Sequence, residues 1–138
     1  MRGWTDILQS RKLLELGLDS NTADMSWVND LEGDHIIAKS YKELHDELEQ
    51  LRTNLGELES KELPAWSLAA LLELMPFMIS LIDNYYSLWF GKNETEYFIG
   101  YDNVNNGNNI CKFEGEDFVS VVVDAVCWLL ENNFIKTE

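Results

Sequence analysis

The sequence predicts an α+β fold: a small antiparallel β-meander of three to four strands, a C-terminal helix packed on it, and additional N-terminal helices. Three observations predict it. Residues 86–90 and 97–101 are aromatic runs of period two joined by Gly91-Lys92-Asn93-Glu94, the pattern of a hairpin. Residues 116–132 repeat apolar side chains at helical spacing behind Glu114, Glu116 and Asp117, where negative charge suits the helix dipole. Residues 63–76, LPAWSLAALLELMP, are bracketed by the only two prolines and contain one charge, Glu73. A helix this apolar must be surrounded by protein.

Taken in order, residues 5–16 read as a first helix with Ile7, Leu8, Leu13, Leu14 and Leu16 as its apolar positions and Gly17 as its stop. Ser20-Asn21-Thr22 reads as a turn, and Met25 with Trp27 as a short apolar patch on that helix. Residues 29–38 leave two readings open: Ile36 and Ile37 form a brief strand or anchor a loop. In residues 40–59, Tyr41, Leu44, Leu48, Leu51, Leu55 and Leu58 alternate spacings of three and four behind a Ser40–Glu43 capping box. The spacing predicts a helix, with Glu43, Asp46, Glu47, Glu49 and Glu57 on its outer faces. Residues 35–62 are read as a helical insertion or variable segment within one domain spanning 1–138.

Ser67 then caps a two-turn helix whose ends are set by Pro64 and Pro76. Residues 77–82 predict an edge strand or a lead-in, and residues 109–113 a third strand after the Asn106-Gly107 turn. On the last helix, Phe118, Val121, Val122, Ala125, Trp128 and Leu129 form the expected buried stripe. Asp117, Ser120, Asp124, Cys127 and Glu131 form the expected polar one. Asn132 and Asn133 end it, and Phe134-Ile135 are expected to fold back on the core.

Charge excludes one class of partner and favours another. The chain carries 25 acids against 10 bases, a net charge of −15, and the acid is spread along it: 14 acids and 7 bases in residues 1–62, 11 and 3 in residues 63–138. An evenly acidic protein repels nucleic acid and attracts basic proteins, so direct nucleic-acid binding is not expected. No apolar run is long enough for a membrane span, and the N-terminal residues lack a signal-peptide pattern, so a cytoplasmic protein is expected. Cys111 and Cys127 are then expected as thiols, and the sequon Asn93-Glu94-Thr95 as a chance match.

Chemical motifs are missing. His35 and His45 share no metal-ligand spacing with each other or with the cysteines. Residues 102–113 fail as a calcium loop, because Val104 and Phe113 stand where oxygen ligands are required. No phosphate loop or nucleophile elbow is present, so no cofactor and no enzymatic activity are expected. Trp66 and Trp128 are read as core. Trp89 alternates with the inward face of its strand, which leaves it on an outer sheet surface that is either a partner site, formed with Tyr97 or Phe98 beside it, or covered by the 40–59 helix.

Several segments together carry a resemblance. Leu13-Leu14-Glu15-Leu16-Gly17-Leu18, Thr22-Ala23-Asp24-Met25, Pro64-Ala65-Trp66-Ser67-Leu68, Leu71-Leu72-Glu73-Leu74-Met75-Pro76 and the run 124–132 resemble a family of small acidic proteins from phages, prophages and mobile elements of gut bacteria. The resemblance covers about the first thirty residues and most of 63–138. It implies an intracellular protein of mobile-element origin and brings no catalytic residues.

The expected function is therefore a non-enzymatic accessory protein that binds another protein, of basic character, through acidic or aromatic surfaces. The candidate interaction residues are Tyr41, Glu43, Leu44, Glu47, Leu48, Leu51 and Trp89. Two alternatives stand beside it. One is a self-assembling protein that dimerises through residues 41–58. The other is a small-ligand domain with a pocket between sheet and helices, using Cys127 or His35.

Overall fold

The structure, a computed structural model, describes residues 3–30, 33–38 and 61–137. The described elements run α1 (Ile7–Glu15), a 3-10 turn (Ser20–Thr22), β1 (Met25–Asp30), β2 (Gly33–Ala38), β3 (Lys61–Ala65), α2 (Leu68–Leu74), β4 (Met78–Leu81), β5 (Asn84–Lys92), β6 (Tyr97–Asn103), β7 (Asn109–Gly115) and α3 (Phe118–Glu131). The fold is α+β. It contains two antiparallel sheets where the sequence reading foresaw one: β2-β1-β3 and β4-β5-β6-β7.

The four-stranded sheet is the expected meander. Trp89 faces Gly100 and Phe90 faces Ile99 across β5 and β6, and Ile99 faces Phe113 across β6 and β7. Residues 78–81 resolve the choice at 77–82 as an edge strand. α3 lies on β6 and β7 with α2 beside it, and the core forms between them from Ile99, Tyr101, Leu71 and the α3 residues Val119, Val122, Val126 and Leu129.

The loop after β6 is a turn held by asparagine. Buried Asn103 accepts from the backbone N–H groups of Asn105 and Asn106 at 2.9 and 3.2 Å, and its amide donates to Asn84 Oδ1 at 3.1 Å. Asparagine suits this because its short amide imitates a backbone turn.

The smaller sheet corrects the reading of the first half. Met25 and Trp27 belong to a full strand that pairs with β2 on one side and β3 on the other. Residues 35–62, read as an insertion or variable segment, begin within β2 and end within β3. Of the two readings left open for Ile36 and Ile37, the strand is observed. Pro64 does not exclude a strand because β3 lies at the sheet's edge, where a missing N–H costs no ladder bond. The helix read over 40–59 lies outside the described residues.

The N-terminal segment ties this sheet to α2. Thr5 N–H donates to the Trp66 carbonyl at 2.9 Å, and the Trp66 N–H donates back to Thr5 Oγ1 at 3.1 Å. The Trp66 indole donates to Thr22 Oγ1 at 2.9 Å. Asp24 accepts from both the backbone N–H and the hydroxyl of Ser67, the residue that caps α2. Segments distant in sequence thus meet at the start of the apolar packet, which is a helix end locked to a sheet end.

Helix boundaries and faces need four corrections. α1 begins at Ile7, not Thr5, because Asp6 and Gln9 form a capping box there. Leu8, read as an inward position, is 74% exposed. Cys127, placed on the polar stripe of the last helix, is only 4% exposed. The sheet is not the only element that buries α3, since α1 and α2 flank it as well. The exposed strip shrinks to positions such as Asp124 and Glu131. Trp128, read as core, is half-buried and stacks on Phe134 with ring centroids 5.5 Å apart.

The β4–β5 turn carries a local conflict. Ile82 adopts φ +45°, the left-handed region that disfavours β-branched side chains, and it is 94% exposed. Its carbonyl accepts from the Asn84 N–H at 2.8 Å. Ile82→Asn, whose side chain tolerates this region, should raise monomer stability by about 1 kcal/mol in urea unfolding. A loss of stability would show that Ile82 makes a contact its exposure conceals.

Candidate interaction surface

Alternation along the strands sorts the four-stranded sheet into two faces. Tyr86, Leu88, Ile99, Tyr101 and Phe113 turn toward the helices and pack in or against the core. Tyr85, Trp89 and Phe98 alternate with them and turn to the opposite side, with Met78 and Ser80 of β4 beside them. The described helices pack on the first face, α3 on β6 and β7.

Trp89 is the centre of the outer face. It stands opposite Gly100, and a Cβ added there would lie 3.4 Å from Trp89 Cε2 and 2.5 Å from the Cys111 carbonyl oxygen. The glycine therefore leaves room for the indole to lie across β6. Trp89 is half-buried, yet its Nε1 is shielded from solvent and has no acceptor among the described residues. An indole N–H left this way costs on the order of 1–3 kcal/mol.

Charge borders the aromatic group. The Lys112 ammonium sits over the Phe98 ring, 5.0 Å from its centroid, and 3.7 Å from Glu114. Both partners are half-exposed, so the ion pair adds little stability. Asp102, opposite Ser87, accepts from the Asn109 amide. The face offers aromatic area framed by mixed charge.

The structure places one of the seven candidate residues on this surface, Trp89. Tyr41, Glu43, Leu44, Glu47, Leu48 and Leu51 lie outside the described residues. Of the two neighbours expected for Trp89, Phe98 lies on its side of the sheet, whereas Tyr97 turns to the helices and stacks on Phe118; Tyr85 is an addition that the same period-two alternation puts beside Trp89.

Burial disfavours the thiolate form at both cysteines. Cys111 and Cys127 are both free. Burial pushes the Cys111 thiol up to about 11; a backbone hydrogen bond involving Tyr101 opposes this and Asp102 reinforces it. Burial likewise raises Cys127, against the pull of Lys12. Burial also raises the Tyr101 phenol, whose hydroxyl donates to the Pro76 carbonyl at 2.6 Å.

A raised thiol pKa favours the protonated form in the folded state. The corresponding stability is present below the unfolded pKa near 9 and is lost as pH rises toward 11. At pH 8, Cys111 should alkylate with iodoacetamide about 100-fold more slowly in the folded than in the unfolded protein, from its thiolate fraction. Equal rates followed by peptide mass spectrometry would contradict this environment.

A separate cavity of about 390 Å³ opens between α1 and the smaller sheet. Ile7, Trp27 and Leu63 give it apolar walls, and Arg11, Asp34 and Glu62 a mixed-charge rim. Its described lining includes neither Cys127 nor His35. Among the described residues no group of three or more His, Cys, Asp or Glu could hold a metal ion, and no helix is long and apolar enough to cross a membrane. Comparison with protein-family models, with curated proteins and with solved structures finds no match to this chain.

Proposed function

We propose that this protein is a non-enzymatic protein-binding domain whose contact surface is the outer face of the four-stranded sheet. The observation that carries the reading is Trp89, laid across Gly100 on the face opposite the helices with Tyr85 and Phe98 beside it. Tryptophan and tyrosine anchor protein interfaces because they bury large area with few rotatable bonds. The net charge of −15 favours a basic partner and disfavours direct contact with nucleic acid. The resemblance to small acidic proteins of phages and mobile elements fits an accessory protein acting on a host or phage protein in the bacterial cytoplasm.

Affinity capture from lysate of a phage-carrying bacterial host, at low and at high salt, tests the reading. The expected result is one basic protein at near one-to-one ratio, retained at low salt and lost at high salt. Capture of nothing at either salt would overturn it.

A further inference from the structure

Beyond the partner-binding face, we propose that the edge of β4, which no described strand pairs, is a self-association site, where two copies of this chain pair β4 with β4 around a two-fold axis. Among the described residues the strands at the sheet edges are β2, β3, β4 and β7. Edge strands invite pairing with another chain unless charge or proline blunts them. Asp34 does so on β2, Glu62 and Pro64 on β3, and Lys112 and Glu114 on β7. β4, Met78-Ile79-Ser80-Leu81, has neither.

The backbone at this edge is self-complementary. Leu88 N–H donates to the Phe77 carbonyl at 2.9 Å, so the polar groups of Phe77 and Ile79 point toward β5. Those of Met78 and Ser80 point the other way, to the open edge. A second copy placed antiparallel, with the axis at Ile79, pairs Met78 of each chain with Ser80 of the other. It also sets Phe77 against the second Leu81 and Ile82 against the second Pro76. Phe77 is 79% exposed and Ile82 94%, so both would leave water in this contact. The β-branched residue kept at φ +45° in an exposed turn then has a use that the isolated chain does not explain.

Charge favours a second copy over a basic partner here. Residues 74–82 contain no ionisable side chain, on a protein of net charge −15. A cation finds no partner along this strip, whereas two acidic molecules can approach through it with least repulsion. In the proposed register the two Asp83 residues lie eight strand positions apart, about 27 Å, well beyond the screening length of physiological salt. Salt should therefore strengthen this association, the opposite of its effect on a basic partner.

Sedimentation velocity on the full chain from about 10 to 300 μM, at low and high salt, tests the proposal. The expected result is a monomer–dimer equilibrium that shifts toward dimer with salt and stops at two. Ser80→Pro removes an outward N–H, and Phe77→Lys puts a charge into the contact. Each should weaken the dimer at least tenfold while far-UV circular dichroism stays that of the wild type. A wild-type monomer throughout the range, a dimer untouched by Phe77→Lys, or growth into open polymers would overturn it.

Discussion

Trp66→Ala should remove about 3–5 kcal/mol of stability, the largest loss expected from any single substitution in this chain. Trp66 has no exposed surface and is the largest fully buried side chain. Its ring belongs to the buried core, and truncation leaves a cavity at a position where hydrogen bonds to Thr5 hold the backbone in place. The indole N–H adds the bond to Thr22. Domains are held by about 5–15 kcal/mol in total, so the variant should be largely unfolded at physiological temperature. Trp66→Phe separates volume from hydrogen bonding. It leaves the Thr22 hydroxyl its bond to the Asp19 carbonyl at 2.6 Å and should lose roughly 1–2 kcal/mol. Urea unfolding followed by circular dichroism measures both, and a loss below about 1 kcal/mol for Trp66→Ala would contradict the packing described.

Gly100→Ala should be the second largest, at about 2–3 kcal/mol. The new methyl would stand 2.5 Å from the Cys111 carbonyl oxygen, a backbone atom that can retreat only by bending β7. It would also press on the Trp89 indole at 3.4 Å, so the substitution should change Trp89 fluorescence as well as stability. Gly91 of β5 is the control: a Cβ there meets nothing within 4 Å. Gly91→Ala should be neutral or slightly stabilising in the same unfolding experiment. Equal effects at the two glycines would refute the close approach at Gly100.

The larger sheet and its helix were legible because their signals are local. The aromatic runs alternate within a few residues, the Asn106-Gly107 turn sits between neighbouring strands, and Ser67 and Asp117 cap the helices they precede. The smaller sheet was not legible, because its central strand, MSWVND, is short and half polar, and β3 joins it from more than thirty residues away. Nothing near Met25 announces that pairing, and Pro64 argues against it until β3 is known to be an edge. Cys127 was misplaced for a related reason. A helical period shows which positions share a face but not what packs around the helix, and α3 meets the sheet, α1 and α2 among the described elements. Trp89 was legible as an outward residue; its seat on Gly100 needed the register.

The proposed function stands or falls on whether the Trp89 face binds a partner. Parallel capture from the same host lysate with wild type, Trp89→Ala and Leu8→Ala tests it most directly, with circular dichroism confirming that each variant is folded. Leu8 is 74% exposed on α1 and serves as an apolar surface control. The account predicts a partner retained by wild type and Leu8→Ala and lost, at least tenfold, with folded Trp89→Ala. Undiminished capture by folded Trp89→Ala would contradict it.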